Sequence, residues 1–264
     1  MQSFVINLDR ATERLAHIEA TFARLGLSFE RVPAIDGRRL EADEIDRWQR
    51  PGSAVGPSEI ACFLSHRRCW QEIVARDLAH AAIFEDDVLL SSDAAEFLSS
   101  AEWIVSDAHI VKLETNGRPT FVARNPASTH SGRELRRLTG PHFNAAAYIV
   151  SRSAAERLIE ASNVIEMPVD LFLFDARGLQ HWPTYQLMPA LCAQPFVAHR
   201  LSLAPGPRDL EPSTIEEDRR RRRPRGWRRL RHKLRRIIEE FRQTSRGFVV
   251  RLTGPHQWGP VPFK

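Results

Sequence analysis

The chain holds only three cysteines in 264 residues, Cys62, Cys69 and Cys192, with no CxxC spacing among them. An odd number without that spacing argues against both a disulfide framework and a zinc site. Cys62 and Cys69 are seven apart in a stretch of helical periodicity, which sets them about 10 Å from each other along one face, too far to bridge. Buried free thiols in a reducing compartment are the plainer reading. Also missing is any apolar run approaching the roughly 18 residues that a membrane-spanning helix needs. The opening "MQSFVINLDR" shows no basic leader ahead of a long apolar segment, so the sequence reads as cytoplasmic and soluble. There is no internal repeat.

Charge is plentiful and unevenly placed. Between Arg219 and Arg246 fourteen Lys and Arg face only Glu239 and Glu240, a local +12 inside a chain of net +5, which leaves −7 for the remainder. An acidic folded part therefore carries an intensely basic tail. Beyond about Ala204 the composition turns to Pro, Gly and charge, which divides the chain into a core of residues 1–204 and an extension of residues 205–264. Within the extension Trp227, Leu230, Leu234, Ile237 or Ile238, and Phe241 recur at helical spacing among arginines. That pattern predicts an amphipathic helix over 227–242 lying on an anionic membrane surface, where each basic side chain contributes on the order of 1 kcal/mol. A solvated extension ranks second, and nucleic acid, whose phosphates also attract basic runs, third.

The core alternates strand and helix patterns. "SFVINL" reads as a buried strand, and Leu15, Ile18, Phe22 and Leu25 follow at helical spacing up to a C-cap at Gly26. "FERVPAIDG" is a second strand, stopped at the Asp36-Gly37 turn. Ser58 is the expected cap of a long helix striped by Ile60, Phe63, Leu64, Trp70, Ile73 and Val74. Strands follow at "HAAIFEDDVLL", "AHIVKLE" and "AAAYIVS", with Ser153 and Glu156 as a capping box for the next helix. Residues 115–141 read as turn-rich. The fold class is α/β, a Rossmann-like mixed, mostly parallel sheet flanked by helices, with ligands beyond the carboxyl ends of its strands.

One of those ends is "AAIFEDDVLLS", where Glu85, Asp86 and Asp87 stand consecutively between apolar runs. Like charges at a buried strand end repel and are costly to desolvate, which a divalent cation would offset. Glu85 and Asp87, two apart on an extended backbone, point the same way and could grip one ion while Asp86 faces elsewhere. Mn²⁺ and Mg²⁺ favour such oxygens and share coordination with phosphates. A solvated acidic turn is the plainer alternative for an isolated triplet.

The triplet is not isolated. "VINLDRATER", "FERVPAIDG", "GPSEIACFLSH", "IFEDDVLL" and "PVD", in this order, resemble glycosyltransferase family 25, which contains lipooligosaccharide and procollagen galactosyltransferases. The resemblance covers most of residues 3–200 and implies a GT-A type fold, a nucleotide-sugar donor, most often UDP-galactose, and metal-assisted transfer with inversion to a glycan or lipid-linked glycan of the cell envelope, such as lipopolysaccharide. It implies that Glu85 and Asp87 hold the metal, with His199 as a further ligand, and that Asn7, Asp9, Arg10, Arg14, Asp36, Gly37, Ser65, His66 and Asp86 contact the donor. Asp170 is the chosen base for the acceptor hydroxyl, because inversion needs a carboxylate opposite the leaving group; Asp175 is its rival. Lys112 matches a family position without a role of its own. Ala61, where relatives commonly carry Gly, and "GPHFN" before "AAAYIVS" depart from the pattern. A non-catalytic binding protein recruited by its basic tail is the alternative reading.

Overall fold

The structure, a computed structural model, describes residues 1–50, 53, 55–200 and 254–264. In chain order its elements are β1 (Gln2–Asn7), α1 (Thr12–Arg24), β2 (Glu30–Pro33), α2 (Ala42–Trp48), α3 (Pro57–Ala75), β3 (His80–Glu85), β4 (Leu89–Leu90), α4 (Ala94–Leu98), β5 (Ile110–Lys112), β6 (Glu114–Thr115), β7 (Pro119–Ala123), β8 (Ser128–His130), β9 (Arg133–Arg137), β10 (Ala147–Ser151), α5 (Arg152–Ala161), α6 (Val169–Phe174), α7 (Gly178–His181), β11 (Thr184–Met188), β12 (Cys192–Ala193), α8 (Pro195–Arg200) and β13 (His256–Pro260).

The alternation of side chains along each strand builds two apolar layers, one on either face of the sheet. Phe4, Ile6, Ala81, Ile83, Tyr148 and Val150 point to the face covered by α3, α5 and α6. Val5, Ala82, Phe84, Ala147 and Ile149 point to the opposite face, covered by α1 and α4. A sheet buried on both sides explains why these strands read as continuous apolar runs. Among the described residues it has eight strands in the order β2-β1-β3-β10-β5-β11-β9-β8. All but β10 and β9 point one way, since those two pair antiparallel with every neighbour. This is the mixed, mostly parallel α/β sheet expected from the sequence.

Local expectations meet four corrections. The cap of α3 is Gly56, with Pro57 opening the helix and the Glu59 carboxylate accepting the Gly56 N–H at 3.0 Å; Ser58 already lies inside the helix. The cap of α5 is Ser151, whose hydroxyl accepts the Ala154 N–H, and Glu156 instead pairs with Arg152 one turn earlier. Residues 115–141 contain β7, β8 and β9, whose polar sequence "RELRR" hides a strand that pairs with β11 on one side and β8 on the other. The C-cap of α1 is Leu25, one residue before the expected Gly26, which follows it with φ +65°.

The final residues, assigned by composition to the extension, return to the core. β13 pairs with β7 along its whole length. Val261 is buried, its carbonyl accepts Thr115 Oγ1 at 2.7 Å, and the Lys264 carbonyl accepts from Arg133 at 3.0 Å. The expected helix over 227–242 and the basic cluster 219–246 lie outside the described residues.

Candidate active site

β3 ends at Glu85, and the chain turns through Asp86 and Asp87 beyond the sheet. Because Glu85 continues the alternation of Ala81 and Ile83, it faces α3; Asp86 falls on the side of α1. Two side chains from neighbouring elements claim Asp86. Asn7, at the end of β1, donates Nδ2–H to Oδ2 at 2.7 Å, and Arg14 in α1 donates to Oδ1 at 3.0 Å. The same guanidinium stands 3.6 Å from Asp87. Asp86 is thus buried, with an oxygen accepting from each of Asn7 and Arg14.

Glu85 and Asp87 converge as expected, though through the turn at Asp86–Asp87 and not through an extended backbone, and they do so on a residue with no local signal in the sequence. Gln194, which follows β12, directs Nε2 to Asp87 Oδ1 at 3.1 Å, to Asp87 Oδ2 at 3.4 Å and to Glu85 Oε2 at 3.4 Å. Its Oε1 accepts Asn144 Nδ2–H at 3.0 Å, and the Asn144 backbone N–H reaches Asp170 Oδ2 at 3.4 Å. Asn144 holds φ +71°, a left-handed conformation that Asn tolerates better than most side chains. A chain of contacts therefore joins the two carboxylates to Asp170 in the first turn of α6. The rival Asp175 caps the next turn through the Arg177 and Gly178 N–H groups.

Electrostatics mark the cluster as short of positive charge. Burial, with Glu114 and Asp86 adding repulsion, pushes the Glu85 carboxyl up to about 8. Burial and Glu85 push Asp87 up to about 6, against the opposing pull of Arg14. Beneath them Lys112 and Glu114 form a pair with no solvent exposure, Nζ to Oε1 3.1 Å. Lys112 also donates to the Asn144 carbonyl at 2.5 Å and lies 4.0 Å above the Phe174 ring. Glu114 Oε1 accepts the Ala146 N–H at 2.7 Å. The pair clamps the loop that carries Asn144. The sequence signals it only as opposite charges two apart in a strand.

The other residues expected to contact the donor are held by contacts within the fold. Ser65 and His66 sit on the inner face of α3: Ser65 Oγ donates to the Ala61 carbonyl and accepts the Ile35 N–H, and His66 has Nδ1 3.0 Å from Tyr148 Oη and Nε2 3.6 Å from Glu85 Oε1. His66 is wholly buried, and burial pulls it down to about 4. Asp9 is exposed and pairs with Arg31, which also binds the side chain and carbonyl of Asn7. Arg10 and Asp36 pair with each other at 3.2 Å. Gly37 meets the α3 N-terminus so closely that a Cβ would lie 2.6 Å from Ser58 Cα. His199 is exposed in α8 and is not part of the convergent ligand group found among the described residues.

The family model described as glycosyltransferase family 25 (LPS biosynthesis protein) matches residues 1–173. The lacto-N-neotetraose biosynthesis glycosyltransferase LgtE of Neisseria meningitidis serogroup B is 34% identical over 214 residues, covering 74% of this chain and 74% of that protein. The lacto-N-neotetraose biosynthesis glycosyltransferase LgtB of Neisseria gonorrhoeae is 34% identical over 251 residues, covering 86% and 85%. Among solved structures, a glycosyltransferase involved in glycosylation of the major capsid of PBCV-1 aligns over 77% of this chain and 98% of its own, at 9% identity and a TM-score of 0.43. With two thirds of its length matched by the family model, the chain belongs to glycosyltransferase family 25 and is a transferase.

Proposed function

We propose that this protein transfers a hexose, galactose, from a UDP-sugar to a lipooligosaccharide or lipopolysaccharide acceptor of the cell envelope, with inversion and with Mn²⁺ or Mg²⁺ as cofactor. The observation that carries the reading is the convergence of Glu85 and Asp87 on one hydrogen-bond donor, Gln194 Nε2, at 3.1–3.4 Å. Two carboxylates with raised pKa around a single N–H donor form an oxygen-only set that suits a hard cation. Glu85 and Asp87 would hold the ion, which when bound offsets charge on the departing diphosphate. Arg14, held by Asn7 and Asp86, adds a fixed positive charge beside Asp87. Asp170 takes the proton of the acceptor hydroxyl, and Asn144 orients it through the backbone N–H. The names of the two Neisseria relatives support a glycan acceptor.

The basic cluster over residues 219–246 would hold the enzyme at the inner face of the cytoplasmic membrane, where lipid-linked acceptors reside. The test of the chemistry is turnover of UDP-galactose with and without Mn²⁺. Asp87→Ala should lose Mn²⁺ binding and lower turnover by roughly 100-fold or more, the scale set by supporting residues of metal sites. Metal-independent turnover that survives Asp87→Ala would defeat the assignment.

A further inference from the structure

Glu85 has two oxygens and two neighbourhoods. Oε2 faces Gln194 and the Asp87 side, whereas Oε1 lies 3.6 Å from His66 Nε2 on α3. That nitrogen belongs to a residue with no solvent exposure and has no hydrogen-bond partner. One turn earlier on the same helix face is Cys62, and its Sγ, a ring nitrogen of His66 and a carboxylate oxygen of Glu85 all lie within 4.8 Å of one another. A buried polar atom without a partner is uncommon and asks for a ligand.

We propose that Cys62, His66 and Glu85 form a Zn²⁺ site, distinct from the Glu85–Asp87 pair but sharing Glu85 with it, so that zinc inhibits the transferase by withdrawing that carboxylate. Thiolate, imidazole and carboxylate are the three ligand types zinc takes, and bonds of about 2.0–2.3 Å place tetrahedral ligand atoms roughly 3.3–3.8 Å apart. The His66–Glu85 separation of 3.6 Å already fits. Cys62 Sγ lies no more than 4.8 Å from the other two ligand atoms. Manganese and magnesium, which favour oxygen, have no reason to prefer this side.

The surroundings supply what such a site needs. Tyr148 Oη lies 3.0 Å from His66 Nδ1 and accepts Trp70 Nε1–H at 2.9 Å; with zinc on Nε2, the ring proton sits on Nδ1 and is donated to Tyr148, the usual outer support of a ligating histidine. Cys62 and Glu85 are partly exposed, which gives an ion a way in. Cys69 and Cys192 are buried, and burial pushes both thiols up, so neither competes as a thiolate. Binding releases the Cys62 thiol proton to solvent. The site itself does not rest on the proposed function; only the inhibition does.

Co²⁺ added to the metal-free full chain serves as the spectroscopic probe, with Zn²⁺ as competitor. The expected result is a thiolate-to-cobalt charge-transfer band, removed by one equivalent of Zn²⁺ and absent in Cys62→Ser, which should also weaken Zn²⁺ binding by at least about 100-fold. Asp87→Ala should keep the band while losing Mn²⁺ binding measured by electron paramagnetic resonance. Zinc should inhibit transfer by the wild type and not by Cys62→Ser. A cobalt spectrum without the thiolate band, or Zn²⁺ affinity unchanged in Cys62→Ser, overturns the site. Loss of zinc together with manganese in Asp87→Ala also overturns it, because the two sites would then be one. A thiolate band with no Mn²⁺ uptake anywhere supports the zinc site and instead removes the carboxylate-pair reading of the function.

Discussion

The Glu85 carboxyl, raised to about 8, links the candidate site to the stability of the fold. A carboxyl protonated in the native state and ionised in the unfolded one stabilises the fold fully below its unfolded pKa, and that contribution is lost as pH rises through the native value. Asp87 completes its change near 6, and His66, pulled down to about 4, is neutral in both states above its unfolded pKa. Between pH 6.5 and 8 Glu85 is therefore the main contributor within the cluster. The metal-free protein should melt at progressively lower temperature across that window, while Glu85→Gln should flatten the profile, as thermal denaturation in a chelating buffer would show. The Lys112–Glu114 pair offers a second measurement. Both side chains have no exposure, and Lys112→Met strands the Glu114 charge, which should cost about 3–5 kcal/mol in urea unfolding. A loss below 1 kcal/mol would mean the pair does not clamp the Asn144 loop. At single positions the sequence was a partial guide. The convergence of Glu85 and Asp87 was foretold, though on an extended backbone and not through a turn, whereas Gln194 and Asn144 carry no local signal.

β1, β3, α1 and α3 supply most of the side chains around the acidic turn, and their apolar periodicity made them readable in advance. Both faces of β1 and β3 are covered, and α3 buries Ile60, Phe63, Trp70 and Ile73. β7, β8 and β9 were not readable, because a strand such as Arg133–Arg137 is specified by its partners and by the buried contacts of Arg133 and not by an alternating pattern. The junction between β2 and α3 is also set by contact across the fold. A Cβ on Gly37 would lie under 3.0 Å from the backbone of Pro57 and Ser58, and the Ile35 N–H is held by Ser65 at 2.9 Å. Gly37→Ala must push the α3 N-terminus away from the sheet, at a cost of about 1–3 kcal/mol. A chemical denaturation midpoint equal to wild type would show that the junction gives without strain.

At the scale of the whole molecule, both α8 and β13 belong to the described residues, and β13 pairs with β7. This geometry separates two deletions that look alike in sequence. Truncation after residue 204 removes the β7 partner and buried Val261 along with the basic cluster. Removal of residues 219–246 alone should leave the melting temperature of the core close to wild type and abolish binding to phosphatidylglycerol vesicles, binding that in the intact chain should weaken as salt rises. Equal vesicle binding by the deleted protein would refute the membrane role of that cluster. Apolar periodicity, turn residues and five ordered motifs were enough to establish the layered α/β class, the acidic strand end and the family, since each is written in neighbouring residues. Which oxygen of Glu85 faces Gln194 and which faces His66, why Asp86 serves Arg14, and where the C-terminus docks depended on chain segments up to about a hundred residues or more apart being folded against one another. Local preference constrains a residue's own backbone, but only close packing decides what its side chain meets.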